Sequence, residues 1–354
     1  MILLYVVVGI IIFGVLIAVH EFGHFAAAKS LGVQVNEFSI GMGPQVWSHQ
    51  GKETLYSLRC LPIGGYCAME GEDEATDNPR SFAGQRAWKR LIILLAGALM
   101  NFIFGVLILV CLYAGASAFY APVIDGFMDG FPLQGEEGLL PGDRIVSIDG
   151  HRILVYTDLS IYFARSNGET MDLVIERDGE KLLLDDFPLH LDTYEYEGET
   201  AQRYGLLFSA VPAGPGDRVR EALLMSVDFL RLTKMGLGDL FAGGAGLQDL
   251  SGPVGVVQVI GEVGSQSASA RDAWMNILFL TALIAANLAF MNLLPIPALD
   301  GGRILFLIID LIIMLIARRK INPRCEAYIH YVGMICLLGL MVIVTFSDVW
   351  KLFQ

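Results

Sequence analysis

His20-Glu21-Phe22-Gly23-His24 sets two imidazoles four positions apart with a carboxylate beside the first. On an α-helix, positions i and i+4 stack on one face, so both rings can reach a single metal ion. Glu21 is then placed to take a proton from metal-bound water. That is the chemistry of zinc-dependent peptide hydrolysis, with His20 and His24 as ligands and Glu21 as general base. Such a site needs a third protein ligand and an open position for water. Asp300 is the candidate. It follows Asn292-Leu293-Leu294-Pro295-Ile296-Pro297-Ala298-Leu299 and precedes Gly301-Gly302. The paired prolines break a helix, and irregular backbone at membrane depth is tolerated only where it is buried in protein or lines a wet cavity. On this element alone, Asp-Gly reads equally well as an interfacial turn.

The elements that position these residues belong to a membrane protein. Of 354 residues, 54% are hydrophobic and 17% charged, and the mean hydropathy is +0.56. Soluble domains carry about a quarter charged residues, so much of this surface faces lipid. Four spans are predicted: Ile2–Ala28, Leu91–Phe119, Trp274–Leu294 and Tyr328–Phe346. At about 1.5 Å per residue the first reaches about 40 Å, more than a hydrocarbon core of roughly 30 Å. It lacks the basic start and small-residue cleavage site of a signal peptide, so a retained helix is expected. The stretch Ile304–Ile316 is short and interrupted by Asp310, which suits a buried or interfacial helix better than a span. A five-span count is the alternative, and it would move the C-terminus to the other side.

Basic residues mark cytoplasmic membrane ends. Arg86, Lys89 and Arg90 precede the second span, and Arg318, Arg319, Lys320 and Arg324 precede the fourth. The N-terminus is therefore expected outside, Ser30–Lys89 inside, and Ala121–Asp272 and the C-terminus outside. His20, Glu21 and His24 fall in the cytoplasmic half of the first helix, where ionisable groups are costly and mark function. The third span runs in the same sense and brings Asp300 to the same depth. Topology thus favours Asp300 as the third ligand.

The net charge of −13 is carried largely by two stretches, Glu70–Asp77 and Asp125–Glu199. A solvated acidic surface of this kind argues against a nucleic-acid partner. Cys60, Cys67, Cys111, Cys325 and Cys336 follow neither a zinc-ribbon nor a disulfide spacing. In the external stretch, Arg144–Ile148 alternates as a strand, and Met171–Arg177 turns through Asp178-Gly179 into Lys181–Leu184 as a hairpin. With Gly138–Gly150, this segment resembles a PDZ domain, a module that captures extended peptides by strand addition. The domain plan is an N-terminal membrane half at 1–119, an extracytoplasmic mainly-β domain at 120–212, an extracytoplasmic linker and amphipathic segment at 213–272, and a C-terminal membrane half at 273–354.

Taken along nearly the whole chain, the pattern resembles the site-2 protease family of intramembrane metalloproteases, in particular its bacterial single-PDZ members. The residues that carry the resemblance are His20–His24, Gly41-Met42-Gly43-Pro44, Pro62-Ile63-Gly64-Gly65-Tyr66, Ala96-Gly97 with Asn101, Gly138–Gly150, Ser251-Gly252-Pro253-Val254-Gly255 and Asn292–Gly301. The resemblance implies Zn2+ held by His20, His24 and Asp300, with Glu21 as general base. It implies that Asn292 helps hold an extended substrate, and that Gly41 and Gly43 belong to a membrane-dipping hairpin that pairs with it. It also implies single-pass transmembrane substrates such as anti-sigma factors or remnant signal peptides, trimmed first by an upstream site-1-type protease. The expected setting is the inner (plasma) membrane, with the active site toward the cytoplasm. All four catalytic residues are present, which argues against a PDZ scaffold with a degenerate site. The two halves show no self-similarity, which argues against a small transporter.

Overall fold

The computed structural model describes residues 2–72, 76–166, 169–196, 198–243, 246, 252–318 and 323–351. Arg319 and Lys320 of the basic flank, Ser251, and residues 73–75 of the acidic stretch lie outside them. The chain divides into two compact units, Met1–Leu109 with Phe229–Gln354, and Val110–Asp228. In chain order the elements begin with α1 (Ile2–Ser30), β1 (Val35–Gln50), β2 (Leu55–Met69) and α2 (Ala87–Tyr113). There follow β3 (Ala118–Phe127), β4 (Arg144–Ile148), β5 (His151–Arg152), α3 (Tyr156–Arg165), β6 (Met171–Arg177), β7 (Glu180–Phe187), β8 (Asp192–Tyr196), β9 (Glu199–Arg203) and β10 (Leu206–Pro212). The chain then runs through α4 (Pro215–Ala242), α5 (Pro253–Gln266), α6 (Ala270–Asn292), α7 (Asp300–Ala317) and α8 (Pro323–Lys351).

In the first unit, four helices are long and apolar enough to cross a membrane: α1, α2, α6 and α8. They match the four predicted spans. The second ends at Tyr113 rather than Phe119, because Phe119 belongs to strand β3; apolar composition does not separate a helix end from an adjoining half-buried strand. The stretch read as linker and amphipathic segment holds all of α4 and α5. The short apolar stretch after Asp300 lies in α7, whose 18 residues include Asp300, Arg303 and Asp310.

Small residues let these helices approach closely. A Cβ at Gly23 of α1 would lie 2.9 Å from Met100 Cβ and closer still to the Ala96 carbonyl of α2, and one at Gly9 would lie 3.0 Å from Val257 on α5. Leu16, Ile260, Ile277, Ile284 and Ala285 form a shared core among α1, α5 and α6. The first turn of α5 has no capping side chain of its own. Its partner comes from α8: Asp348 Oδ2, on a residue only 2% exposed, accepts from Gly252 N at 2.9 Å and Gly255 N at 2.8 Å. A Cβ on Gly252 would stand 2.8 Å from that carboxylate, and one on Gly255 3.0 Å, so both glycines of that motif make room for Asp348.

The segment between α1 and α2 is a folded-back hairpin. The first half of β1 pairs from Val35↔Met69 to Ile40↔Gly65, and the second half from Gln45↔Arg59 to Gln50↔Leu55. Phe38 and Ile40 also face Tyr56 and Leu58. The bend is made by Gly41 and Gly43, with φ of +86° and +85°, and by Gly64 at +91°. At Gly41 a Cβ would crowd the Arg59 carbonyl at 3.0 Å and the Leu61 carbonyl at 2.5 Å. Arg59 pins the bend by donating to Gly43 O at 2.8 Å, Glu37 Oε1 at 2.9 Å and Tyr66 Oη at 2.6 Å. Segment 65–69 is left at the edge of the sheet.

The second unit is built on a sheet in the order β10-β3-β4-β6-β7, with β5 beside β4, a separate β8–β9 ribbon and helix α3. Ile124, Leu139, Ile145, Ile148, Leu173, Ile175 and Leu189 fill its core. The predicted hairpin is present. Asp178 and Gly179 have φ of +52° and +84°, as a type I′ turn requires. Asp143, 1% exposed, receives both Nε and Nη2 of Arg177 at 2.8 and 2.7 Å.

Candidate metal centre

The last turns of α1 carry His20, Glu21 and His24 inward, against α2. Gly97 makes the fit possible: a Cβ there would come within 2.7 Å of Cε1 of both histidines and closer still to His24 Nε2. His24 Nδ1 stands 2.8 Å from the Ile93 carbonyl. A carbonyl oxygen only accepts, so Nδ1 carries the proton and Nε2 keeps its lone pair for a metal. His20 Nδ1 faces the Asn292 amide at 3.4 Å. The facing atom is Nδ2; with the amide turned over so that Oδ1 faces the ring, Nδ1–H donates and His20 Nε2 is bare as well.

Asp300 arrives from the other end of the chain. α6 stops at Asn292, the Pro295–Pro297 segment turns, and α7 begins at Asp300 itself. Leu299 N bonds Ile296 O at 3.1 Å and Gly302 N bonds Leu299 O at 3.0 Å, so the loop closes on itself in one tight turn. Asp300 Oδ2 lies 3.2 Å from Nε2 of His20 and 3.2 Å from Nε2 of His24. The two Nε2 atoms are 3.1 Å apart. His20 of α1 meets Asn292 at the C-terminal end of α6, and the short loop beyond Asn292 brings Asp300 to the histidine pair.

Three atoms bound to one tetrahedral zinc at about 2.0–2.1 Å sit about 3.3–3.4 Å from one another. The observed triangle is within a few tenths of an ångström of this. Asp300 Oδ2 is buried and accepts no hydrogen bond, an arrangement costly in a bare protein and natural for a metal ligand. The residues fit a zinc ion. Among the described residues, His20, His24 and Asp300 are the only His, Cys, Asp or Glu group close enough to share an ion.

A cavity of about 380 Å³ surrounds the triangle, lined among others by Glu21, Tyr66, Met69, Glu72, Asn292 and Arg303. Glu21 lies at its wall beside Gly65, where a Cβ would be 3.6 Å from Glu21 Cγ. Arg303 Nη1 is ion-paired with Glu72 Oε1. Cys67 also lines the cavity, but its thiol is not among the ligand atoms close enough to share an ion with His20, His24 and Asp300. Gly41 and Gly43 are not in the lining; they bend β1, and it is Tyr66–Met69 of β2 that reaches the cavity. The Gly64-Gly65-Tyr66 motif was visible in the sequence, but nothing in it told which arm of the hairpin would face the metal. Gly97 was visible too, without a role, because its role is only the space it leaves for two rings.

A model of peptidase family M50 matches residues 8–340. A protein of Fusobacterium nucleatum subsp. nucleatum, named as a candidate zinc metalloprotease, is 33% identical over 351 residues, covering 98% of this chain and 99% of the relative. Similarly named proteins of Clostridium acetobutylicum and Clostridium perfringens are each 32% identical, covering 97% and 98% of this chain and 97% and 98% of their own. With four apolar helices and a separate β unit, the molecule is a polytopic helical membrane protein. The chain belongs to peptidase family M50, the site-2 protease family, and is a zinc metalloendopeptidase.

Proposed function

We propose that this enzyme cuts the transmembrane segments of single-pass membrane proteins inside the bilayer. The observation that carries this reading is the location of the ligands: His20 and His24 lie within spanning helix α1, and Asp300 lies one short turn beyond spanning helix α6. Zinc held by these three supplies a Lewis acid for the scissile carbonyl and a water of lowered pKa. Glu21 takes the proton from the attacking water and returns it to the leaving amine nitrogen. Asn292 orients His20 through Nδ1 and flanks the substrate backbone.

A helical substrate hides its carbonyls in i to i−4 bonds, so it must unwind before cleavage. The unwound stretch adds as a strand to the hairpin shaped by Gly41 and Gly43, along the outer side of Gly65–Met69. Among the described residues no further strand pairs there, and a free edge is a ready template for an extended peptide. The second unit is a PDZ domain on the extracytoplasmic face that keeps bulky external domains away. Substrates are then anti-sigma factors or remnant signal peptides, first trimmed by a site-1-type protease, in regulated intramembrane proteolysis. The enzyme sits in the inner (plasma) membrane with its active site toward the cytoplasm.

The test is Glu21→Gln in liposomes carrying a single-pass substrate. Cleavage is expected to vanish while about one zinc per chain remains bound, and wild-type products should map inside the apolar segment. Full activity in the variant, or cuts confined to the soluble tails, would overturn the reading.

A further inference from the structure

Two residues before Asp300, Ala298 has φ +79°. A residue with a Cβ rarely adopts that left-handed conformation, and it persists only where its surroundings impose it. Those surroundings come from α8. Ala298 N–H donates to His330 Nδ1 at 3.0 Å. At Gly333, on the following turn of the same helix, a Cβ would stand 2.9 Å from Pro297 O and 2.5 Å from Pro297 Cβ. The last spanning helix therefore grips the loop at two successive residues. The far side of the loop is fixed differently: Cβ atoms at Gly301 and Gly302 would collide with the carbonyls of Leu293, Leu294 and Ile296. His330 is itself held by its ring contact with Phe306 of α7, centroids 5.3 Å apart.

We propose that His330 is a positioning residue for the metal ligand Asp300. Its bare Nδ1, with the ring proton on Nε2, keeps Ala298 in the left-handed conformation and so aims Oδ2 at the point that His20 and His24 face. The inference rests on the reading of His20, His24 and Asp300 as the zinc centre. It assigns to α8, which supplies no ligand, control over how tightly the ion is held.

The two polar replacements of His330 separate this role from bulk packing. In His330→Asn the amide oxygen takes the place of Nδ1. In His330→Gln the amide reaches toward Nε2 and leaves the Ala298 N–H without an acceptor. Zinc affinity of the full-length protein in detergent is measured by competition with a chelator, with Asp300→Ala alongside. His330→Gln is expected to weaken zinc binding about 10- to 100-fold, the usual effect of losing a group that orients a ligand, while His330→Asn stays close to wild type. His330→Gln binding as tightly as wild type, or His330→Asn as weakly as His330→Gln, would overturn the positioning role. If Asp300→Ala kept full zinc affinity, the assignment of the centre would fail instead. His330→Leu should behave as His330→Gln; if it does not accumulate, the equally polar Asn and Gln variants decide alone.

Discussion

Replacing Gly97 by alanine adds one methyl group at the place where two zinc ligands rest on α2. The added Cβ would lie 2.7 Å from Cε1 of His20 and from Cε1 of His24, whereas carbon atoms pack at about 3.5–4.0 Å. The rings must therefore retreat by about 1 Å, and a metal site tolerates only about 0.2 Å in its ligand distances. The change should not harm α2 as a helix, because alanine is favoured over glycine in a helix interior by about 1 kcal/mol. That gain offsets part of the roughly 1–3 kcal/mol that overpacking costs, so the fold should survive. A displacement of this size lowers turnover about 100-fold. The expected result is a folded protein that releases zinc to a chelator and cleaves its substrate at about 1% of the wild-type rate or less. Gly115→Ala, where a Cβ would meet nothing within 4 Å, is the control. Gly97→Ala with wild-type zinc affinity and rate would refute the seating of the histidine pair on α2.

Two further changes probe the scaffold. Arg177→Ala leaves the buried Asp143 carboxylate without its cation and should destabilise the second unit by about 3–5 kcal/mol; limited proteolysis should then cut within Val110–Asp228 while zinc content, set by ligands in the other unit, is unchanged. Asp348→Ala removes the acceptor for the first turn of α5 and should cost about 1–2 kcal/mol, seen as earlier heat unfolding and faster proteolysis near Gly252; an unshifted transition would show that the cap carries no stability.

His20, Glu21 and His24 were legible in the sequence because the helical repeat fixes which side chains share a face over four residues. Asp300 was legible only through topology and the family resemblance, since nothing local separates it from an interfacial turn. The four spans followed from apolar length, with the second overrun into β3 where the apolar run continues past the helix end. The edge segment Tyr66–Met69 could not be read, because which arm of a bent hairpin faces a site depends on pairings set by three left-handed glycines. Nor could the contributions of Ile93, Gly97 and His330. Each acts through a carbonyl, a missing Cβ or a bond across 32 positions, and none leaves a local spacing to recognise.

Both His330 and Asp348 belong to α8, the final helix, and each completes an element made much earlier in the chain. During synthesis the Asp300 loop and the first turn of α5 emerge before the groups that secure them exist. If His330 positions Asp300 as proposed, metal capture at full affinity waits until α8 has packed against the Asp300 loop. On that reading the site reaches its full hold on the ion late in folding, after the helices that carry the ligands have themselves formed.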